Sequence, residues 1–251
     1  MAEHRWLAVA ALFFCASVAA TLAGSAAMAT MGGMTMPGGW TMSMMWMHMP
    51  GQGWADTAGD FMGMWLAMMP AMMLPALMPV LARYRRALDG QFGTTRVDAL
   101  TARAASGYFA VWLVQGAVVF ALGAVLAALV MQYPALAERA PLAAGGLLVA
   151  AGAFQMSRWK ARRLACCRSL PAHSCAPWIS GVRLGLDCSV CCAGLTAALF
   201  VAGVMDLRAM ALVTLAIGAE RLAPHGERVA QATGIVLFGA ALWLYAGAVG
   251  T

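Results

Sequence analysis

The sequence predicts an all-α, polytopic membrane protein with about seven transmembrane helices and a cytoplasmic N-terminus. Hydrophobic residues fill 63% of its 251 positions and charged residues only 10%. Soluble domains contain about 45–50% apolar and about 25% charged residues, so we expect the lipid bilayer to surround this chain. Its net charge of +6 forms no basic stripe with interleaved aromatic residues, which argues against a nucleic-acid partner.

Seven apolar runs predict the individual helices, and a full crossing needs about 20 residues. The runs are 6–29, 61–82, 107–131, 142–156, 184–205, 209–219 and 229–249. The first run could be a cleaved signal peptide, which would leave six crossings. Its apolar stretch is longer than the roughly 7–15 residues of a signal sequence, which favours an uncleaved anchor. The fifth and sixth runs could instead form a re-entrant hairpin.

The positions of Lys and Arg predict the orientation. With the N-terminus inside and the runs alternating, all 16 basic residues except Arg139 and Arg208 fall on the cytoplasmic side. This bias predicts a protein of the bacterial inner membrane, built as a single transmembrane domain over residues 1–251. Two connections carry unusual residues: a Met-rich outer loop over residues 31–60, and a basic, Cys-containing inner loop over residues 158–183.

The cysteines are concentrated in one short part of the chain, because six of the seven lie within residues 166–192. Cys188, Cys191 and Cys192 stand at i, i+3 and i+4, positions that share one face of a helix. Three thiolates on one face can hold Cu(I) in a trigonal site or occupy three corners of a zinc site. We therefore predict that these three residues bind a soft metal, and that Asp187 caps the start of their helix.

The adjoining inner loop could supply further ligands or pass metal to the helix. Its candidates are Cys166, Cys167, His173 and Cys175. The alternative is a basic membrane-surface loop in which these cysteines are incidental. Cytoplasmic thiols stay reduced, so structural disulfides are not expected.

Methionine is the second abundant soft ligand, with 21 in the chain. A thioether selects Cu(I) over harder ions. The outer loop shows no helical or strand period, so we predict an adaptable segment whose methionines have no core to fill. Its candidate metal ligands are Met34, Met36, Met44, Met45, Met47, His48 and Met49.

A second group of methionines lies in the second apolar run. Met69, Met72 and Met73 share a helical face, and the prolines of this run are expected to interrupt the helix. These methionines could form a path for a monovalent soft ion or simply pack in the core.

Polar residues occur in or beside several apolar runs. Gln115 and Gln155 are expected to form hydrogen bonds between helices. Glu220 could be an intramembrane functional carboxylate. The interpretation that we favour is a Glu220–Arg221 pair at the cytoplasmic interface.

Four blocks of sequence resemble the DUF2182 family of predicted metal-binding bacterial integral membrane proteins. The blocks are residues 64–75; 152–155 with 159–160 and 167–169; 185–192; and 203–206 with 220–221. The resemblance implies metal binding, and its Cys-x-x-Cys-Cys motif matches Cys188, Cys191 and Cys192. Val190 stands where the family has a glycine, and Arg163 where it tends to have a cysteine.

The leading hypothesis is a protein that binds Cu(I), with zinc or silver as alternatives, for copper uptake, relay or delivery across the membrane. Copper would pass from the outer loop along the methionines of the second run to the thiolates. The chain has no Gly-x-x-x-x-Gly-Lys or Asp-Lys-Thr-Gly motif, and we expect no enzymatic activity.

Two alternatives belong to other classes. One is a membrane thiol–disulfide oxidoreductase that uses Cys188 and Cys191. The other is a copper metallochaperone or assembly factor that transports nothing. In the copper hypotheses, the protein partner would be a copper chaperone or a copper-requiring membrane enzyme.

Overall fold

The computed structural model describes residues 2–47, 51–167, 170 and 176–249. These segments form eight α-helices: α1 (Ala2–Met31), α2 (Trp54–Leu88), α3 (Thr94–Gln132), α4 (Pro134–Gln155), α5 (Arg158–Cys166), α6 (Pro177–Ala202), α7 (Leu207–Leu222) and α8 (Gly226–Val249). A small antiparallel hairpin, β1 (Gly33–Thr35) and β2 (Thr41–Ser43), and a 3-10 helix (Met44–Trp46) lie between α1 and α2. The predicted helical class is thus confirmed, with one short hairpin in addition.

Among the described residues, five helices are long and apolar enough to cross a membrane. They lie in α1, α2, α3, α6 and α8. A sixth crossing results if α4 and α5, which meet at an angle of 65°, form one broken span. Helix α7, the sixth of the seven predicted crossings, is not among these candidates: it has only 16 residues, or about 24 Å of helix, against a hydrocarbon core of about 30 Å.

Several helices begin outside the apolar runs, where polar side chains satisfy their first backbone N–H groups. Asp56 Oδ2 accepts a hydrogen bond of 2.9 Å from Gly53 N at the start of α2. Asp206 Oδ1 accepts bonds from the backbone at the start of α7. Because such caps are polar, apolar runs alone place the helix ends too far inward.

Helix α2 runs without a break through its prolines, which corrects the predicted interruption. Pro70, Pro75 and Pro79 all lie inside the continuous helix. Neighbouring helices can stabilise a proline-containing helix in a membrane by satisfying the freed backbone groups. The methionines of α2 therefore keep their helical spacing.

Helix α6 is the centre of the structure and packs against α3, α4, α5 and α7. Its contact with α3 is close, because a Cβ on Gly181 would collide with the backbone of Ala104, and one on Gly107 with that of Trp178. Small residues allow helix backbones to approach closely in membranes. This contact brings Tyr108 of α3 against the cysteine face of α6.

Candidate metal centre

Four cysteine side chains meet in the interior between α5 and α6. Cys188, Cys191 and Cys192 lie on the buried side of α6, and Cys167 follows the last residue of α5. Each is at most 3% exposed, and all four are free thiols. Cys166, by contrast, is exposed, as is Cys15. The i, i+3, i+4 spacing thus puts three thiols on one inward face, and the turn after α5 adds a fourth.

The four thiols form two pairs. Cys188 Sγ and Cys192 Sγ lie 3.9 Å apart, and Cys191 shares a hydrogen bond with Cys167. The three sulfurs that we predicted to converge are therefore divided between the pairs. Within the described segments, no group of three or more His, Cys, Asp or Glu side chains is arranged to hold a metal ion.

Arg221 of α7 joins the two pairs. Its Nη1 donates a hydrogen bond of 3.0 Å to Cys188 Sγ, and its Nη2 donates one of 2.9 Å to the carbonyl oxygen of Cys167. The Tyr108 hydroxyl lies 3.0 Å from the same Cys188 sulfur. A guanidinium and a phenol thus contact one thiol, away from solvent.

A buried ion pair lies beside the thiols. Lys160 Nζ of α5 is 2.6 Å from Glu220 Oε2 of α7, and neither side chain is more than 2% exposed. Gln155 Nε2 donates hydrogen bonds of 2.7 Å to Glu220 Oε1 and 2.9 Å to Thr233 Oγ1. This network joins α4, α5, α7 and α8, which confirms the predicted role of Gln155. Gln115 likewise joins α3 to α6 by accepting a hydrogen bond from Ser189.

The interpretation of Glu220 and Arg221 as an ion pair at the interface is wrong. Both side chains are buried, at 2% and 6% exposure, and they bind different partners. Consecutive residues on a helix point about 100° apart, so Glu220 reaches Lys160 while Arg221 reaches Cys188.

Asp187 does not cap its helix, because α6 begins ten residues earlier, at Pro177. Its Oδ1 instead lies 2.5 Å from Arg163 Nη1 of α5. The side chains are 23% and 42% exposed, so we expect little stability from this pair. The ion pair connects α5 to α6 beside the cysteine face.

The α2 methionines belong to the same hydrophobic cluster as the cysteines. Met69, Met72 and Met73 are at most 4% exposed, and this cluster also contains all four buried cysteines. Met68 and Met45 are members too. Thioether sulfurs therefore pack in the interior that holds the thiols.

The Met-rich segment is more ordered than predicted. Met36, Met42 and Met45 are buried, and Trp40 Nε1 donates a hydrogen bond of 2.9 Å to the carbonyl oxygen of Ala137 in α4. The expectation that these methionines have no core to fill was therefore wrong: the hairpin folds back onto the ends of α3 and α4.

The remaining outer candidates are spread over this segment. Met34 is 38% exposed, and Met44 and Met47 are partly buried. His48 and Met49 lie outside the described residues, as do His173 and Cys175 of the inner loop.

Two partners of the thiols, Tyr108 and Arg221, and the role of Lys160 in the neighbouring ion pair were not predicted from the sequence. Tyr108 lies in none of the motifs described above, Lys160 was only part of a block that resembles the family, and Arg221 was assigned to the membrane interface. The sequence indicates these roles only weakly, because it shows no more than a lysine and an arginine close to apolar runs in a chain with few charges. Only the tertiary contacts show that they point inward.

Comparison with known protein families connects the chain to copper. The profile of the PpoB2 copper chaperone family matches residues 62–244. The chain belongs to the PpoB2 copper chaperone family. No curated protein and no solved structure matches it. The matched region includes all four buried cysteines, Arg221 and the α2 methionines, whereas the Met-rich hairpin precedes it.

Proposed function

We propose that this protein is a membrane-embedded chaperone that holds Cu(I) on its buried thiols and hands it to a copper-requiring partner. One observation carries the proposal: Cys188 and Cys192 place two sulfurs 3.9 Å apart in the interior, within the region matched by a copper chaperone family. Metal–thiolate bonds are about 2.3 Å long, so an ion could reach both sulfurs with little movement of α6.

The second thiol pair supports transfer as well as storage. Cys191 and Cys167 adjoin the first pair, and Cys167 lies at the end of α5 rather than within α6. A chaperone must release its ion, and ligand exchange between neighbouring thiolates is a route that needs no free ion. We propose that Cys167 takes part in the exit of copper toward the inner loop.

The methionines supply an entry route in this proposal. Met69, Met72 and Met73 share the interior with the thiols, and Met45 links the Met-rich segment to the same cluster. Met34, Met36, Met44, Met47, His48 and Met49 would collect copper before it enters. Thioethers bind Cu(I) without losing a proton and remain ligands where thiols would be oxidised.

The location and family follow from the same proposal. We propose that the protein lies in the bacterial inner membrane with its N-terminus inside, and its five or six apolar helices and the charge bias support this. We propose that the DUF2182 resemblance and the PpoB2 match describe one family. Binding and transfer of copper need no enzymatic step, so we propose no catalytic residue.

Copper content tests the proposal directly. The protein is purified without oxygen, exposed to Cu(I), separated from free ion, and analysed for metal by mass spectrometry. The wild type is expected to retain copper, and the Cys188→Ser/Cys192→Ser variant to lose most of it. Cys166→Ser is the matched control, because this thiol is exposed and should not matter. Equal copper in the double variant and the wild type would reject the proposed site.

A further inference from the structure

We propose that Arg221 makes the Cys188–Cys192 pair selective for monovalent over divalent ions. This inference rests on the proposed function, in which that pair holds the metal. The guanidinium donates a hydrogen bond of 3.0 Å to Cys188 Sγ and is only 6% exposed. Arginine remains protonated in proteins, so the pair always has one positive charge beside it.

The charge of the loaded site depends on the ion. Cysteine binds metals as the thiolate, so two cysteines bring two negative charges. A monovalent ion and Arg221 together balance those charges and leave the site neutral. A divalent ion is already balanced by the thiolates, so the charge of Arg221 would remain uncompensated. An uncompensated charge in a buried, apolar environment is costly, and divalent ions should be disfavoured.

The other charged groups nearby are paired with one another. Lys160 Nζ lies 2.6 Å from Glu220 Oε2, and Arg163 Nη1 lies 2.5 Å from Asp187 Oδ1. Tyr108 offers Cys188 a neutral hydroxyl. Among the described residues, no salt bridge includes Arg221. Its charge is therefore available to compensate a thiolate-bound monovalent ion.

The second contact of Arg221 fixes where this charge lies. Nη2 donates a hydrogen bond of 2.9 Å to the carbonyl oxygen of Cys167, so the guanidinium is held by two acceptors from different elements. Because the guanidinium group is planar and donates to two acceptors, it has little freedom to turn away from Cys188. A lysine could supply the charge but not both contacts.

Silver(I) and cadmium(II) are suitable probes, because both are soft ions with a filled d shell and different charges, and the comparison between variants cancels their different coordination preferences. The detergent-solubilised full chain is exposed without oxygen to an equimolar mixture, and the bound silver-to-cadmium ratio is measured by mass spectrometry. A parallel series carries Cys191→Ser, which removes the second thiol pair. We expect the wild type to retain silver in clear preference to cadmium.

Three variants separate charge from structure. Arg221→Met and Arg221→Gln remove the charge, and the second retains a hydrogen-bond donor. We expect both to lower the silver-to-cadmium ratio, by an amount comparable to the loss of affinity, about 10–100-fold, that follows removal of a partner of a metal ligand. Arg221→Lys should largely keep the wild-type ratio, although its total metal affinity falls. A purely structural role would lower binding of both ions together and leave the ratio unchanged.

The possible failures are distinguishable. If the neutral variants keep the wild-type ratio, the inference is overturned. If the neutral variants do not fold, the silver-to-cadmium ratio of the wild type tests the inference alone. Equal binding of cadmium and silver by the wild type would contradict selection by charge. A wild type that holds Cu(I) but shows no preference overturns this inference alone. A wild type that holds no Cu(I) overturns the proposed function as well.

Discussion

Lys160→Met and Glu220→Gln are each expected to lower the free energy of unfolding by about 3–5 kcal/mol, since each leaves one member of a buried ion pair without its partner. Lys160 is fully buried and Glu220 is 2% exposed, so water cannot replace the missing partner. Gln155 contacts both residues and is neutral, so it does not compensate the charge.

The double variant Lys160→Met/Glu220→Gln should be more stable than either single variant. Replacing both members of a buried pair removes both charges and is often nearly neutral, and the introduced amide can still accept the hydrogen bonds of Gln155 and Thr233. Reversible unfolding in detergent measures the free energy of unfolding of all three variants and of the wild type. Additive losses in the double variant would show that the two residues do not act as a pair.

Cys192→Ser is expected to lower the affinity for Cu(I) by more than about 100-fold, above the usual effect of removing a residue that only supports a ligand. Its sulfur is the close partner of Cys188, at 3.9 Å, and a serine hydroxyl is a hard, poor ligand for a soft ion. Competition with a coloured Cu(I) chelator under anaerobic conditions measures the affinity. Cys166→Ser serves again as the exposed control.

The same variant distinguishes metal binding from thiol–disulfide chemistry. An oxidoreductase with a Cys188–Cys191 couple should tolerate serine at position 192. In the structure, however, Cys191 shares its hydrogen bond with Cys167, and the sulfur near Cys188 belongs to Cys192. Unchanged copper affinity in Cys192→Ser, with a redox-active Cys188–Cys191 disulfide, would support the oxidoreductase and contradict the chaperone.

The sequence predicted the helical class and the cysteine face because both depend on local spacing. Cys188, Cys191 and Cys192 share a face in any α-helix, and an apolar helix must bury one side in a packed protein. The sequence could not predict which thiols pair, because pairing depends on rotamers and on Cys167, which lies in the turn after another helix.

Local sequence patterns could not predict the long-range contacts for the same reason. Arg221 lies 33 residues from Cys188, and Tyr108 lies 80 residues from it; no sequence period connects them. The Met-rich segment was predicted as an irregular loop because its strands have only three residues each. Three residues are too few to show an alternating pattern.

The most direct test of the account is X-ray absorption at the copper edge on the anaerobic, copper-loaded protein. It reports the atoms bound to the ion. We expect a first shell of sulfur only in the wild type, at about the length of a metal–thiolate bond, and we expect this shell to be lost in Cys188→Ser/Cys192→Ser. A shell of nitrogen or oxygen in the wild type, or an unchanged sulfur shell at the same copper content in this variant, would show that copper does not bind at the Cys188–Cys192 pair.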